Sequence, residues 1–356
     1  MKRDNNIQNF ILWTALALFL GLLSGLILLP ILGVSPVEAI RVMIGGIFAD
    51  GYTMGNILVK TTPLILTGLA FTFTFKANLY NIGAQGQFYT GCIFAVAVSL
   101  ALMGKMPGWI VMILAALSAC LGGGAIGLLI GWLKAKFNAN EFLVSMMSTY
   151  VIIYIMNLLL RTVLQESKHE YIKTDSLDNS VWLPKIIPGT NVSLGFVIAL
   201  LTAVAVWFIL YRTALGYRIR VTGLNSEAGS MAGIEPAKQF MIAFFISGAI
   251  AGLAGFVEVN GMQHMLLTDF DSNIGSFGIG IAILANAHPL GVILAAFLFG
   301  FLQVGGTVLS HASDAPASII DLMLGFVMLF VLISFYCRKQ VEHRQKMRIK
   351  VTKEEQ

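Results

Sequence analysis

Amide and ionisable side chains are scarce in this chain, so the few that border apolar stretches are where its chemistry must sit. Asn81, Gln85 and Gln87 gather at a glycine-rich turn, Asn140 and Glu141 stand side by side, and Asn286 precedes a short Ala-His-Pro run. Such groups can trade hydrogen bonds with a polar solute that sheds its water, and they serve equally well to bond helix to helix. We take these six as candidates for a substrate pathway or its gates. Nothing accompanies them that would make or break covalent bonds. The histidines (His169, His264, His288, His311, His343) are scattered and no two share a helical i, i+4 spacing. HExxH, CxxC, GxSxG and GxxxxGKS/T are all absent, which disfavours a zinc protease, a thiol redox enzyme, a serine hydrolase and a phosphate-binding P-loop. No catalytic residue, metal site or cofactor is expected. Residues 122–127 do read GxGxxG, but they lie inside an apolar run with no strand before them, so a dinucleotide site is rejected.

The elements that must position these residues are membrane helices. The chain is 57% hydrophobic and 12% charged, far too apolar for one soluble core. Residues 10–32, 107–133, 192–210 and 318–337 are each long enough for the ~20 residues a bilayer crossing needs. In lipid every backbone group must be satisfied within the segment, which dictates helices. Further spans fall at 81–103, 142–160, 240–259 and 290–309. Two short ones, 62–75 and 277–286, read as discontinuous helices lining a cavity. The expected fold is therefore all-α, a single polytopic domain over residues 1–356 with about ten transmembrane helices. GxxxG spacings at Gly21/Gly25, Gly123/Gly127, Gly127/Gly131 and Gly248/Gly252 predict close helix crossings.

Alternating the spans from a cytoplasmic start at residues 1–9 puts most of the 23 lysines and arginines inside, including the basic tail 338–356, as the positive-inside rule asks. The net charge of +5 then reports topology and contact with lipid; no basic soluble module suggests nucleic acid. The polar loop 161–191 falls outside, either a solvated connector or a docking surface. The N-terminal apolar run is too long for a signal peptide and reads as a retained span. Cys92, Cys120 and Cys337 fall in spans, which argues against disulfides. The segment 211–239 is the longest cytoplasmic connection. Asn225 can cap a short helix with Glu227 in its first turn, Gly233 can end it in the left-handed region, and Pro236 comes soon after. Alone, this reads as an ordinary interfacial helix.

Four ordered stretches resemble the permeases of bacterial ABC importers in the branch serving branched-chain amino acids, ribose and nucleosides: TPLILTGLA at 62–70 with NIGAQGQ at 81–87, NEFLV at 140–144, GLNSEAGSMAGI at 223–234, and GIAILANAHPLG at 280–291. The resemblance is greatest to the nucleoside-type permeases that work with a basic-membrane-protein-like lipoprotein. It implies a type II importer-like permease that moves nucleosides by alternating access, driven by separate ATPase subunits. Simple sugars or branched-chain amino acids are the alternative cargoes, and a secondary carrier the alternative mechanism. The implied partners are a cytosolic ABC ATPase, an extracytoplasmic substrate-binding lipoprotein and a second, related permease in the cell membrane. It also implies that Gly216, Arg218, Gly223, Asn225, Glu227, Ala228, Gly233 and Ile234 form the element that couples to the ATPase. Three positions depart from the family pattern: Gln85 stands where Glu is usual, Ser226 where Pro is common, and Thr149 where Asn is expected. If position 149 lines the pathway, its change bears on which cargo is selected.

Overall fold

The computed structural model describes residues 16, 19–25, 27, 29–32, 35–167, 171–268, 270, 273–313, 321–337 and 340. The expected N-terminal segment 1–9, much of the 10–32 span and nearly all of the tail 338–356 lie outside these residues. The described residues are helical, without a named strand. The helices are α1 Pro36–Ile47, α2 Gly51–Phe75, α3 Ala84–Leu102, α4 Gly108–Phe137, α5 Glu141–Arg161, α6 Gly195–Arg212, α7 Ala214–Leu224, α8 Ser226–Met231, α9 Pro236–Glu258, α10 Ile274–Leu284, α11 Pro289–Ala312 and α12 Asp321–Cys337. Among the described residues seven are long and apolar enough to cross a membrane: α2 to α6, α9 with its extension, and α11; α10 and α12 are shorter apolar helices.

One expected short span is corrected. Residues 62–75 are the second half of α2, a continuous helix of 25 residues with Pro63 inside it. Proline removes the donor that would serve the Val59 carbonyl, yet the helix runs through it, 83% of its apolar window being buried against its neighbours. Polar residues such as Asn56 and Lys60 hid its first half from a hydropathy reading. The other short segment is a true short helix, α10, and two non-glycine residues with positive φ, Asn286 and Ala287, turn the chain from it into α11.

The chain divides into two compact units. The terminal unit, Met1–Asp50 with Leu302–Gln356, holds α1, the end of α11 and α12. Its apolar cluster joins Leu29, Ala39, Met43 and Leu309. Gly21 and Gly25 lie directly against Val327 and Met323. Helix α1 has no counterpart among the expected spans, because its 12 residues are too few to cross.

The second unit, Gly51–Phe301, is built around α2. The apolar window of α2 is 83% buried, against 22% for α5, so α2 is the inner helix and α5 a peripheral one. The other glycine pairs mark the α4–α9 crossing: a Cβ on Gly123 would strike the Gly248 carbonyl, one on Gly127 the Phe244 carbonyl, and one on Gly252 the Ala119 carbonyl. Gly91 of α3 meets Gly252 from the other side. Hydrocarbon provides no hydrophobic drive between helices, so this backbone-to-backbone approach supplies the packing.

The two ends of this unit differ. At one, α9 passes into a π-helical turn, Val259–Gln263, and the 162–194 segment is laced onto it. Leu183 N donates to Asn260 O, Leu177 N to His264 O and Thr174 N to Leu266 O, all at 2.8–2.9 Å. Trp182 stacks on His264 with ring centroids 3.7 Å apart. Residues 168–170 of the expected 161–191 loop lie outside the described set. At the opposite end, α7 and α8 pack beneath the turn that succeeds α2.

Candidate functional site

The first turns of α3, the middle of α5 and the residues leading into α10 enclose a cavity of ≈ 470 Å³, within the roughly 300–1,000 Å³ of small-molecule sites. Gly83 and Gly86 bring α3 against Ser145 and Thr149 of α5, closer than a side chain would allow. Tyr89, Tyr150 and Phe270 give the lining aromatic faces; Ile82, Met146, Ile153 and Met156 make it apolar; Gln85, Thr149, Asn273 and Ser276 make it polar. An aromatic wall with a few placed amides and hydroxyls suits a flat polar solute held by stacking and hydrogen bonds.

Gln85 joins the two sides of this cavity. Its Oε1 accepts from Gly275 N and from Ser276 N (3.3 Å), so one side chain serves two of the donors that the start of α10 leaves free. Its Nε2 is buried without a partner. Asn273, in the left-handed region at φ 48°, turns the chain into α10 here.

The other pathway candidates lie elsewhere. Asn81 and Gln87 are fully buried and bond to each other. Asn81 Nδ2 donates to Gln87 Oε1 (2.7 Å) and Ser247 Oγ (2.8 Å), and Gln87 Nε2 returns to Asn81 Oδ1 (3.2 Å). Ser247 in turn donates to the Ala70 carbonyl at 2.6 Å. This closed network clamps α2, α3 and α9 together, as buried polar groups in lipid require. Asn140 caps α5 by accepting from Phe142 N and Leu143 N. Glu141 forms an ion pair with Lys134 at 3.0 Å. Asn286 is exposed in the α10–α11 turn, at φ 52°. Of the six, the structure brings only Gln85 to the cavity.

Tyr89, Tyr150, Phe270, Asn273 and Ser276 were not singled out by the sequence. Met146, Thr149, Tyr150 and Ile153 do keep to helical spacing, but a stripe of that kind reads equally as a lipid-facing surface. Two positions that depart from the family pattern, Gln85 and Thr149, line the same cavity. Among the described residues no group of three His, Cys, Asp or Glu could hold a metal ion.

The coupling candidates share one end of the unit. Thr213 Oγ1 accepts from Gly216 N (3.2 Å) to open α7, and Gly216 sits where α7 folds back on Ile209 and Leu210. Gly223 presses on the backbone of Lys76 and Ala77; it is a close-approach glycine inside α7. Asn225 caps α8, accepting from Glu227 N (3.0 Å) and Ala228 N (3.1 Å). Gly233 ends it at φ 77°, and Ile234 N bonds back to Gly229 O at 3.0 Å. Arg218, Glu227 and Ala228 lie on the outer surface of this end, while Leu224 and Met231 are 88% and 93% exposed. The result is a rigid, capped knob with an apolar tip.

Known permeases resemble this chain over most of its length. Residues 53–332 match the family model described as the permease component of branched-chain amino acid transport systems. The chain is 34% identical to the guanosine ABC transporter permease NupP of Bacillus subtilis, over 91% of this chain and 93% of that one. It is 30% identical to the glucose ABC transporter permease TsgB13 of Haloferax volcanii, over 91% and 87%. It is 25% identical to the nucleoside ABC transporter permease NupB of Lactococcus lactis, over 93% of each. A bundle of apolar helices with a solute-sized cavity at one helix junction and a capped knob at its end, matched over this length, is a multi-pass membrane transport subunit, and the chain belongs to the permease family of branched-chain amino acid-type ABC transport systems.

Proposed function

We propose that this permease forms the membrane path of an importer for nucleosides. The cavity carries the reading: Tyr89, Tyr150 and Phe270 offer faces for a nucleobase, and Gln85, Thr149, Asn273 and Ser276 offer polar partners for base and sugar. The likeness to guanosine and nucleoside permeases supports the same cargo. A simple sugar is the second reading, favoured by the Haloferax relative. Uptake of labelled guanosine, ribose and leucine, in cells whose own carriers are deleted, separates these cargoes. Saturable ribose uptake with no guanosine uptake overturns the nucleoside reading.

The permeases of this family work with an ATPase and a substrate-binding protein. We infer that α7 and α8 receive the ATPase: the knob is stiff, exposed and apolar at Met231 and Leu224. This end also carries Lys134, Lys136, Arg212, Arg218, Arg220 and Lys238, which supports a cytoplasmic placement with both termini on that side. The laced 162–194 cap then faces outward, towards a binding lipoprotein. A paired, related permease is supported by α5. Its mid-helix Tyr150 and Tyr154 are 53% and 73% exposed, and phenolic hydroxyls are poorly placed against lipid tails. On this reading residues 1–356 act as one transmembrane permease domain, with ATP hydrolysed by its partners.

A further inference from the structure

At the knob end two cationic side chains, Lys76 and Arg220, gather with the imidazole of His288, and no carboxylate among the described residues is paired with them. Lys76 immediately succeeds α2, Arg220 lies on α7 one turn before the glycine that presses on Lys76, and His288 immediately precedes α11. Tyr211, in the last turn of α6, links Arg220 and His288. The Arg220 guanidinium carbon sits 5.2 Å from its ring centroid, and the His288 ring stacks on it at 5.8 Å with planes 29° apart.

No carboxylate among the described residues pairs with any of the three. Arg220 Nε is buried and has no hydrogen-bond partner. Burial, and then the neighbouring Arg220, hold the Lys76 ammonium below its ordinary pKa; burial, and then Lys76, hold His288 below its own. The Lys76 and Arg220 charges repel each other, His288 is held towards its neutral form, and no carboxylate among the described residues offsets the two charges. An unpaired, half-buried guanidinium is costly unless a ligand completes it.

We propose that Lys76, Arg220 and His288, with Tyr211 between the last two, form a binding site for the phosphate of an anionic lipid headgroup. The depth of the cluster selects the lipid. It lies at the ends of three apolar helices, α2, α6 and α11, which is headgroup level. Tyrosine there is an interfacial residue, and Arg212 stacks over Trp207 at 5.7 Å on the same helix end. Basic pockets between helix ends suit such headgroups, and a guanidinium matches phosphate by its planar fork of donors. The surfaces that reach furthest into solvent, Leu224 and Met231, are apolar and belong to the knob. Because Gly223 rests on Lys76 and Ala77, a bound headgroup would brace the knob against the turn that leads to Gln85. The site does not depend on which cargo is carried.

The test uses the assembled permease–ATPase complex in nanodiscs and in detergent. Native mass spectrometry and thermal melting are monitored with phosphatidylglycerol, with phosphatidylcholine and with inorganic phosphate. Phosphatidylglycerol should be retained and should raise the melting point, and phosphatidylcholine should do neither. Arg220→Gln and Lys76→Gln should each weaken retention more than about tenfold, because each loses a charge-assisted hydrogen bond to the phosphate, while Arg212→Gln should weaken it at most about five-fold, the effect of one interfacial charge outside a defined site. Arg220→Lys serves as the milder variant and should keep part of the retention. Equal losses in all three Gln variants would mean diffuse surface attraction and overturn the site. Full displacement of the lipid by inorganic phosphate would assign it to a free anion. Unchanged lipid retention with weakened ATPase binding would assign the cluster to an acidic side chain of the ATPase. Either result overturns the lipid proposal.

Discussion

Gln85→Met removes the side-chain acceptor of Gly275 N and Ser276 N. One buried donor, Gly275 N, and one half-buried donor, Ser276 N, lose their partner, at about 1–3 kcal/mol each. The substitution also removes the unpartnered Gln85 Nε2, which returns about 1–3 kcal/mol. The net loss is about 1–3 kcal/mol, concentrated at the start of α10. Local opening there should rise roughly ten- to hundred-fold, since each 1.4 kcal/mol is about tenfold. Hydrogen exchange in the purified complex reads this directly: the Gly275 and Ser276 amides should exchange faster by that factor, while the crossing of α4 and α9 keeps its protection. Uptake should fall with it. Gln85→Glu keeps the acceptor and puts an anion near a helix start, where the dipole favours it; it should preserve amide protection and alter cargo preference. If Gln85→Met leaves both the exchange of these amides and uptake at wild-type values, Gln85 neither holds the cavity nor gates it, and the reasoning fails.

Gly233→Pro and Ala228→Arg should uncouple ATP hydrolysis from transport without lowering the melting point of the complex, because φ is 77° at Gly233, which proline cannot adopt, and Ala228 is exposed on the knob; wild-type transport in both would make the knob a plain connector. Gly248→Leu should prevent assembly of the bundle, since its side chain would enter the backbone of Gly123 and Gly124, and a stable, folded variant in detergent would contradict the crossing. Impermeant thiol reagent should label Ser176→Cys, in a background without Cys92, Cys120 and Cys337, from outside the cell; labelling from the cytoplasm alone would reverse the proposed orientation. His264 is held below its ordinary pKa by burial and then by Lys185, so the folded cap favours the neutral ring. Its stabilisation is complete above the unfolded value and is lost as pH falls from about 6.5 towards the lowered folded value. The melting temperature should therefore begin to fall as pH drops below about 6.5, and His264→Phe should lessen that fall; the same fall in both proteins would exclude the effect.

Features that depend on neighbouring residues could be read directly from the chain. Long apolar runs in a bilayer can only be helices, so the membrane class and most span positions were legible. So were the Asn225 cap and the Gly233 ending of α8, because caps depend on residues within one turn. The glycine spacings announced close crossings but could not name the partners: that Gly123 and Gly127 meet Gly248 and Phe244 of α9 depends on how distant helices assemble. Periodicity was equally unable to separate the lining of a cavity from a lipid-facing stripe, since both are apolar on one face. Folding places Gln85 opposite Gly275, far away in sequence, and turns its near neighbours Asn81 and Gln87 inward to Ser247. It also keeps Pro63 within a continuous helix, packed on most sides by its neighbours, where hydropathy saw a break. Amide side chains carry the same chemistry in a clamp, a cap or a pathway, and only the groups brought opposite them in three dimensions determine which role each one has.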